Sequence, residues 1–339
     1  MELYSGIDLH SNNSYTVILD SQDRVMYRKR LPNMLSEVVR ELKPFQAELV
    51  GVVVESTYNW YWLVDGLMEA GYRVHLANTT AIQQYSGLKY SDDFSDAQWL
   101  ARMLRLGVLP EGYIYPHESR PVRDLLRQRS WLVRQHTSHL LHVGNIVTRN
   151  KGMRLSSGQL QELTLDQIRT MFPDRERTLA VESSMVVMGV LEKQIAAVEK
   201  QVHSQAKQQP AFQRLETVYG IGPILAMTIW LETGDIGRFA QVGDYVSYCR
   251  AVNSQRLSNS KKKGENNRRN GNRYLAWAFV EAAHYACRFY PPVRRFVEKK
   301  TAQKNKALAL KAVAHKLARV CYYVLRDQVS FEPARLFGS

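Results

Sequence analysis

Apolar residues along this chain keep two different rhythms. In the first hundred residues they form short runs bounded by turn signals; from Pro121 onward they recur at three- and four-residue steps. The early runs predict strands over Leu3–Leu9, Tyr15–Leu19 and Val25–Lys29, the last two joined by the turn-forming Asp20-Ser-Gln-Asp23. A helix over about Met34–Leu42 comes next, then Leu49–Glu55, whose near-continuous apolar character suits a strand covered on both faces. An aromatic-rich helix near Trp60–Ala70, a short strand Arg73–Ala77 and a helix beginning near Asp93 complete the segment. Three antiparallel strands followed by α/β alternation is the order of a ribonuclease-H-like fold. Its first and fourth strands are neighbours, which would bring Asp8 beside Glu55.

The later rhythm predicts helices. Pro121 to about Thr148 carries an apolar stripe through Leu125, Leu132, Leu140 and Val147, and after a loop-like Met153–Gly158 a second stretch, Leu179–Gln208, has the spacing of a packed arm or coiled coil. Such an arm could join two copies of the chain or pack back on its own. Pro210 starts a new unit, in which Leu215–Met227 reads as helix, glycine turn, helix. Gly220 and Gly222 in that turn would let backbone N–H groups approach phosphate, the helix-hairpin-helix device. Helical patterns at Tyr245–Val252 and Tyr274–Cys287 flank a polar stretch, Ser254–Arg273, that holds seven Lys or Arg against one Glu. A basic amphipathic helix over Lys306–Val324 precedes the tail. The expected class is α/β plus α: a ribonuclease-H/RuvC-like domain over 1–150, a helical arm over 151–209, a mainly α domain over 210–325 and a tail over 326–339.

Charge sharpens this division. The 339 residues carry a net +14, with a pI near 9.6, which favours a polyanionic partner such as nucleic acid. Residues 1–100 hold 8 basic and 13 acidic side chains, whereas the remainder holds 38 and 19. An acidic front end with a basic body fits a metal site joined to a phosphate-gripping surface. Cys249, Cys287 and Cys321 lack CxxC spacing and read as reduced thiols of a cytoplasmic protein, not a zinc site. No apolar run approaches the roughly 18 residues that span a bilayer, so no membrane partner is expected. His136, His139 and His142 drift around their helix at three-residue steps and read as a polar helical surface.

The candidate chemistry lies in four carboxylates. Asp8 and Glu55 close strands, while Asp93 and Asp96 share one face of a helix start. Clustered acids need a counter-charge, and hard oxygen ligands suit Mg²⁺, or Mn²⁺, in phosphoryl-transfer chemistry. The polar stretch sets hydroxyls at Ser254, Ser258 and Ser260 within a dense positive field, a setting that would bind a phosphodiester.

Together these residues resemble the acid-quartet (DEDD) transposases of the insertion-sequence one-ten family, eleven-eleven group, to which the Piv-type DNA invertases are related. The motifs in front are Gly6-Ile-Asp8, Val54-Glu55-Ser56-Thr57 and Asp93-Phe-Ser-Asp96-Ala97. Those behind are Tyr219-Gly220-Ile-Gly222-Pro223, Gly234-Asp-Ile-Gly-Arg-Phe239, Ser258-Asn-Ser-Lys-Lys-Lys-Gly264 and Asn270-Gly-Asn-Arg-Tyr-Leu-Ala-Trp-Ala-Phe. The resemblance implies that Asp8, Glu55, Asp93 and Asp96 bind metal, and it places a serine nucleophile in this loop, at Ser258 ahead of Ser254 or Ser260. It implies strand exchange through a phosphoserine–DNA link, with Lys261, Lys262, Lys263, Arg268, Arg269 and Arg273 neutralising phosphate. It further implies donor and target DNA, a guide RNA (bridge or seeker RNA) encoded by the element, and a dimer or tetramer. A RuvC-like nuclease acting by hydrolysis would need the acids but not the serine. An actin-like ATPase would use Ile7–Ser14 as a phosphate loop but lacks that fold's second, glycine-rich one. A non-catalytic RNA-binding protein would keep the quartet only as a relic.

Overall fold

The strand β1 (Leu3–Leu9) is buried along its whole length because it runs through the middle of a five-stranded sheet. In the computed structural model, which describes residues 1–82, 92–252, 256–264 and 270–333 apart from the side chains of Arg256, Leu257 and Lys262, two compact units divide the chain. The first comprises Met1–His117 with Gln255–Asn270, the second Glu118–Ser254 with Gly271–Ser339.

In the first unit, β2 (Asn13–Asp20) and β3 (Val25–Pro32) extend the sheet antiparallel on one side of β1. After α1 (Leu35–Leu42), β4 (Leu49–Glu55) pairs parallel to β1 on the other side, so the first and fourth strands are neighbours as predicted. Next come α2 (Tyr61–Glu69) and the edge strand β5 (Val74–Ala77), giving the order β3-β2-β1-β4-β5. β3 runs three residues past its predicted end at Lys29 because its backbone keeps pairing with β2, while Arg28, Lys29 and Arg30 stay exposed along the sheet edge.

The two-residue period of a strand sorts the side chains between two faces. Leu3, Ile7 and Leu9 with Val52 and Val54 pack on α1 and α2. The alternate residues Tyr4, Val17, Leu19 and Val53 meet the helix α3 (Asp93–Arg105) through Ala97, Leu100 and Ala101. The sheet is therefore covered on both faces, as the apolar run of β4 required.

The second unit is helical. α4 (Arg120–Lys151) is followed by two short helices, α5 (Ser157–Gln161) and α6 (Leu165–Met171), and by α7 (Arg175–Ala206), which packs along α4. The loop expected at Met153–Gly158 thus runs into α5, and neither short helix was foreseen. Helices of five and seven residues have too few turns to display a period, although Ser156/Gln159 and Thr164/Gln167 are both capping boxes.

α8 (Pro210–Glu216), α9 (Pro223–Thr233) and α10 (Val242–Tyr248) follow. Within the polar stretch, where the pattern offers only a loop, β6 (Arg256–Ser258) and β7 (Lys261–Gly264) form a hairpin. α11 (Arg273–Phe289), α12 (Pro291–Gln303) and α13 (Lys306–Arg326) close the unit, with Ala278, Ala282 and Ala286 of α11 buried in one core with Ala314, Leu317 and Ala318 of α13. Small residues at such a contact let the two helices approach closely. Among the described residues no helix is long and apolar enough to cross a membrane.

Candidate active site

Asp8 shares the face of β1 that carries Tyr4 and Gly6, and this face meets α3. Glu55 lies two residues beyond Val53 on β4, so it takes the same side. Gly6 decides how close the helix comes. A Cβ there would overlap the Ala97 carbonyl oxygen and sit 2.8 Å from the Ala101 nitrogen, so the backbone of α3 lies directly on β1. That contact delivers the first turn of α3, with Asp93 and Asp96, to the end of β1. The neighbouring Asp92 has a different task. Its Oδ1 accepts hydrogen bonds from the Ser95 hydroxyl at 2.6 Å and the Ser95 backbone N–H at 2.8 Å, capping the helix, and both bonds hold its carboxyl below the usual range.

Three of the four acids converge on a pocket of about 270 Å³ lined by Asp8, Glu55, Thr79, Ile82, Asp96, Trp99 and Leu100. Burial, a hydrogen bond with Asp8 and the nearby Asp96 charge push the Glu55 carboxyl up to about 8. Asp93 is not part of that lining. His10, two residues past Asp8 and so on the same side, sets Nε2 3.0 Å from Asp8 Oδ2 and 3.5 Å from Asp93 Oδ1. Tyr15 also bonds Asp93, and partial burial together with that bond raises its hydroxyl. The ligand atoms of Asp8, His10 and Asp93 all lie within 4.8 Å of one another, so Asp8 belongs to two groups at once. No Lys or Arg lines the pocket among the described residues. Hard oxygen donors, crowded enough that one holds a proton a cation would displace, fit a divalent metal. His10 had not been singled out, though the alternation Asp8-Leu-His10 was visible in the sequence.

Ser258 occupies a separate place in the same unit. It pairs with Lys261 across a two-residue turn in which Asn259 and Ser260 have φ of +50° and +58°, the geometry of a type I′ hairpin. Ser258, Lys261 and Lys263 are exposed, and among the described residues Ser258 is not part of the acid pocket. Ser254, Arg268 and Arg269 lie outside the described residues, as does the side chain of Lys262. Asn270, at the far end of the stretch, accepts a 3.4 Å bond from Asn78 of the first unit.

Two family models match the chain in the order its motifs suggest. A DEDD transposase model of the IS110 type covers residues 5–149, and a model of the IS116/IS110/IS902 transposase family covers residues 212–298. The chain belongs to the IS110/IS116 transposase family. It is also similar to a probable family 20 transposase of Pseudomonas aeruginosa, at 22% identity over 97% of this chain and 98% of that protein.

In the second unit of the transposase, the start of α11 is held by a connected set of polar contacts. Gly271, at φ +90°, brings Asn272 onto the Tyr248 carbonyl at 2.6 Å, and a Cβ on Gly271 would meet the same oxygen at 2.5 Å. Asn272 then caps α11 through Tyr274 and Leu275, and its Nδ2 donates to the buried Glu232 at 2.7 Å. Glu232 holds Arg127 in a bidentate pair at 2.6 and 2.7 Å; burial works against the Arg127 charge, but the carboxylate outweighs it and raises the guanidinium. Arg273, next along, is exposed and donates to the Tyr274 hydroxyl at 3.0 Å. The two glycines of the α8–α9 turn differ. Gly220, at φ +80°, faces inward, where a Cβ would meet the Ala286 nitrogen at 2.6 Å, whereas Gly222 opens to free space at the N-terminus of α9.

Proposed function

We propose that this transposase is the recombinase of an insertion sequence and that it cuts and rejoins DNA through a phosphoserine link. The observation that carries the reading is the meeting of Asp8, Glu55 and Asp96 in one pocket, where Glu55 keeps its proton up to about pH 8. Asp8, Glu55, Asp93 and Asp96 would hold Mg²⁺, with Mn²⁺ as a substitute. When bound, the metal polarises a phosphate and offsets charge on the attacking and leaving oxygens. His10 orients the Asp8 and Asp93 carboxylates from outside this set.

In the proposed reaction Ser258 Oγ bonds to phosphorus as the bond from phosphorus to the sugar oxygen breaks. The serine proton passes to a quartet carboxylate, and the departing sugar oxygen takes up a proton. One phosphodiester replaces another, so rejoining needs no ATP. Exposed Lys261 and Lys263 offset phosphate charge beside the serine. That Ser258 does not line the acid pocket supports an oligomer, dimer or tetramer, in which acids and serine come from different subunits. An exposed apolar stripe on α7, through Leu179, Val186 and Val190, supplies a surface for such assembly. Guidance by an element-encoded RNA rests on the family resemblance together with the +14 net charge. Base pairing would then read sequence while the protein reads backbone shape.

The test is a denaturing gel of protein, Mg²⁺, DNA carrying the element's joined ends and RNA from its flanks, for wild type and Ser258→Ala. A covalent protein–DNA band confined to wild type is expected. Cleaved DNA without that band would make the protein a hydrolytic, RuvC-like nuclease, which would need the acid pocket but not Ser258.

A further inference from the structure

The second unit contains a groove of about 1150 Å³ between α12, α13 and the segment that follows α13. It is larger than the roughly 300–1,000 Å³ typical of small-molecule sites. Its walls hold Lys300, Lys304, Lys311, Lys316, Arg319 and Arg326 against only Asp327 and Glu332. Whatever pairs form within it, four positive charges remain in excess. The pattern originates in the helix itself. α13 buries Ala309, Leu310, Val313, Ala314, Leu317 and Cys321 in the core, while Leu308, Lys311, His315, Arg319 and Tyr323 recur at three- and four-residue steps along the groove.

Aromatic rings lie among the cations. Phe296, Tyr323 and Phe331 line the groove half-buried, and the Lys300 and Lys316 ammonium groups sit 5.8 and 5.7 Å from the Phe296 ring centroid. A positive groove with half-exposed rings is the combination that holds an unpaired nucleic-acid strand, phosphates on the cations and bases on the rings. Duplex bases are already stacked on one another and cannot use the rings. Ala251 and Val252, just ahead of the serine hairpin, form part of the wall, and His315 Nδ1 lies 3.2 Å from the Ala251 carbonyl.

We infer that this groove is a binding site for a single nucleic-acid strand, distinct in its lining from the acid cluster and the serine. It requires neither the metal nor the phosphoserine step, so the outcome of the covalent-band experiment leaves it untouched.

The test measures fluorescence anisotropy of full-length protein in EDTA with labelled twelve-nucleotide U-run RNA, T-run DNA and a duplex of the same length. Lys311→Glu/Arg319→Glu is compared with Arg73→Glu/Arg154→Glu, an exposed pair away from the groove lining with the same change in charge. The groove variant is expected to bind single strands at least about tenfold more weakly, with the salt slope reduced by about 1.4, or 0.7 for each lost cation. The control should stay within about threefold of wild type, and the duplex, whose bases cannot use the rings of the groove, should lose less than the single strands. Preferential loss on RNA would identify the strand as RNA, and preferential loss on DNA as DNA. Thermal melting separates binding from folding, and Lys311→Arg/Arg319→Lys should restore affinity. Equal losses in the groove and control variants, or equal losses on duplex and single strands, would overturn the inference.

Discussion

The acid cluster and the serine hairpin carry the two halves of the proposed chemistry, yet they are built in opposite ways. Asp8 and Glu55 end strands of a sheet covered on both faces, and Gly6 presses α3 onto β1 so closely that Asp93 and Asp96 have little freedom to be elsewhere. Ser258 stands on an exposed polar hairpin whose turn holds two non-glycine residues at positive φ. Farther along the chain, Asn272, Glu232 and Arg127 lock the start of α11. The contrast sets a proposed metal cradle held by backbone contact against a proposed nucleophile on an exposed turn. Preorganised charge stabilisation loses its effect if it moves, so the close seat of α3 on β1 suits the acids.

Substitutions can break or sharpen this contrast. The largest effects should come from the reacting groups. Ser258→Ala should abolish the covalent DNA band while leaving nucleic-acid binding intact, and Asp96→Asn should abolish metal-dependent activity without unfolding the protein, checked by the same gel and by thermal melting. Next comes Glu232→Ala, which strands the Arg127 charge and should cost about 3–5 kcal/mol in a denaturant melt. Gly6→Ala follows, because the added methyl must push α3 off β1. A loss of about 1–3 kcal/mol is expected, together with loss of the band, since Asp93 and Asp96 shift with the helix.

A smaller, pH-dependent effect belongs to Glu55. Its folded carboxyl titrates near 8, well above the ordinary carboxylate value, so between about pH 4.5 and 8 the folded protein holds a proton that the unfolded chain has released. In EDTA the melting temperature should therefore fall as pH rises through this window. Glu55→Gln should flatten the dependence, and Mg²⁺ should remove it by taking the proton's place. The smallest effect is expected at the turn. Ser260→Gly relieves a positive φ and should stabilise the hairpin by about 1 kcal/mol, seen as roughly fivefold slower amide exchange. Retention of the covalent band in that variant would also exclude Ser260 as the nucleophile.

Much of the frame could be read along the chain. Continuous apolar runs at Leu3–Leu9 and Leu49–Glu55 identify buried strands, and their order predicts that they are neighbours, which the parallel pairing of Gly6 with Val53 confirms. The helical stripes of α4, α7, α11 and α13 were equally legible, because ten or more residues display a 3.6-residue period clearly. The short α5 and α6 and the hairpin within Ser254–Arg273 were not, because they owe their shape to caps, a turn and contacts that leave no period. By itself, then, the sequence determined which residues are acidic, where the strands and long helices run, and that Asp8 must approach Glu55. Only the tertiary structure decided that Gly6 sets the height of α3, that His10 joins Asp8 and Asp93, that Asp92 is a cap, and that the basic stripe of α13 lines a groove. The reason is physical: burial periodicity is local and is written in neighbouring residues, whereas close approach and shared charge depend on groups that the chain brings together from far apart.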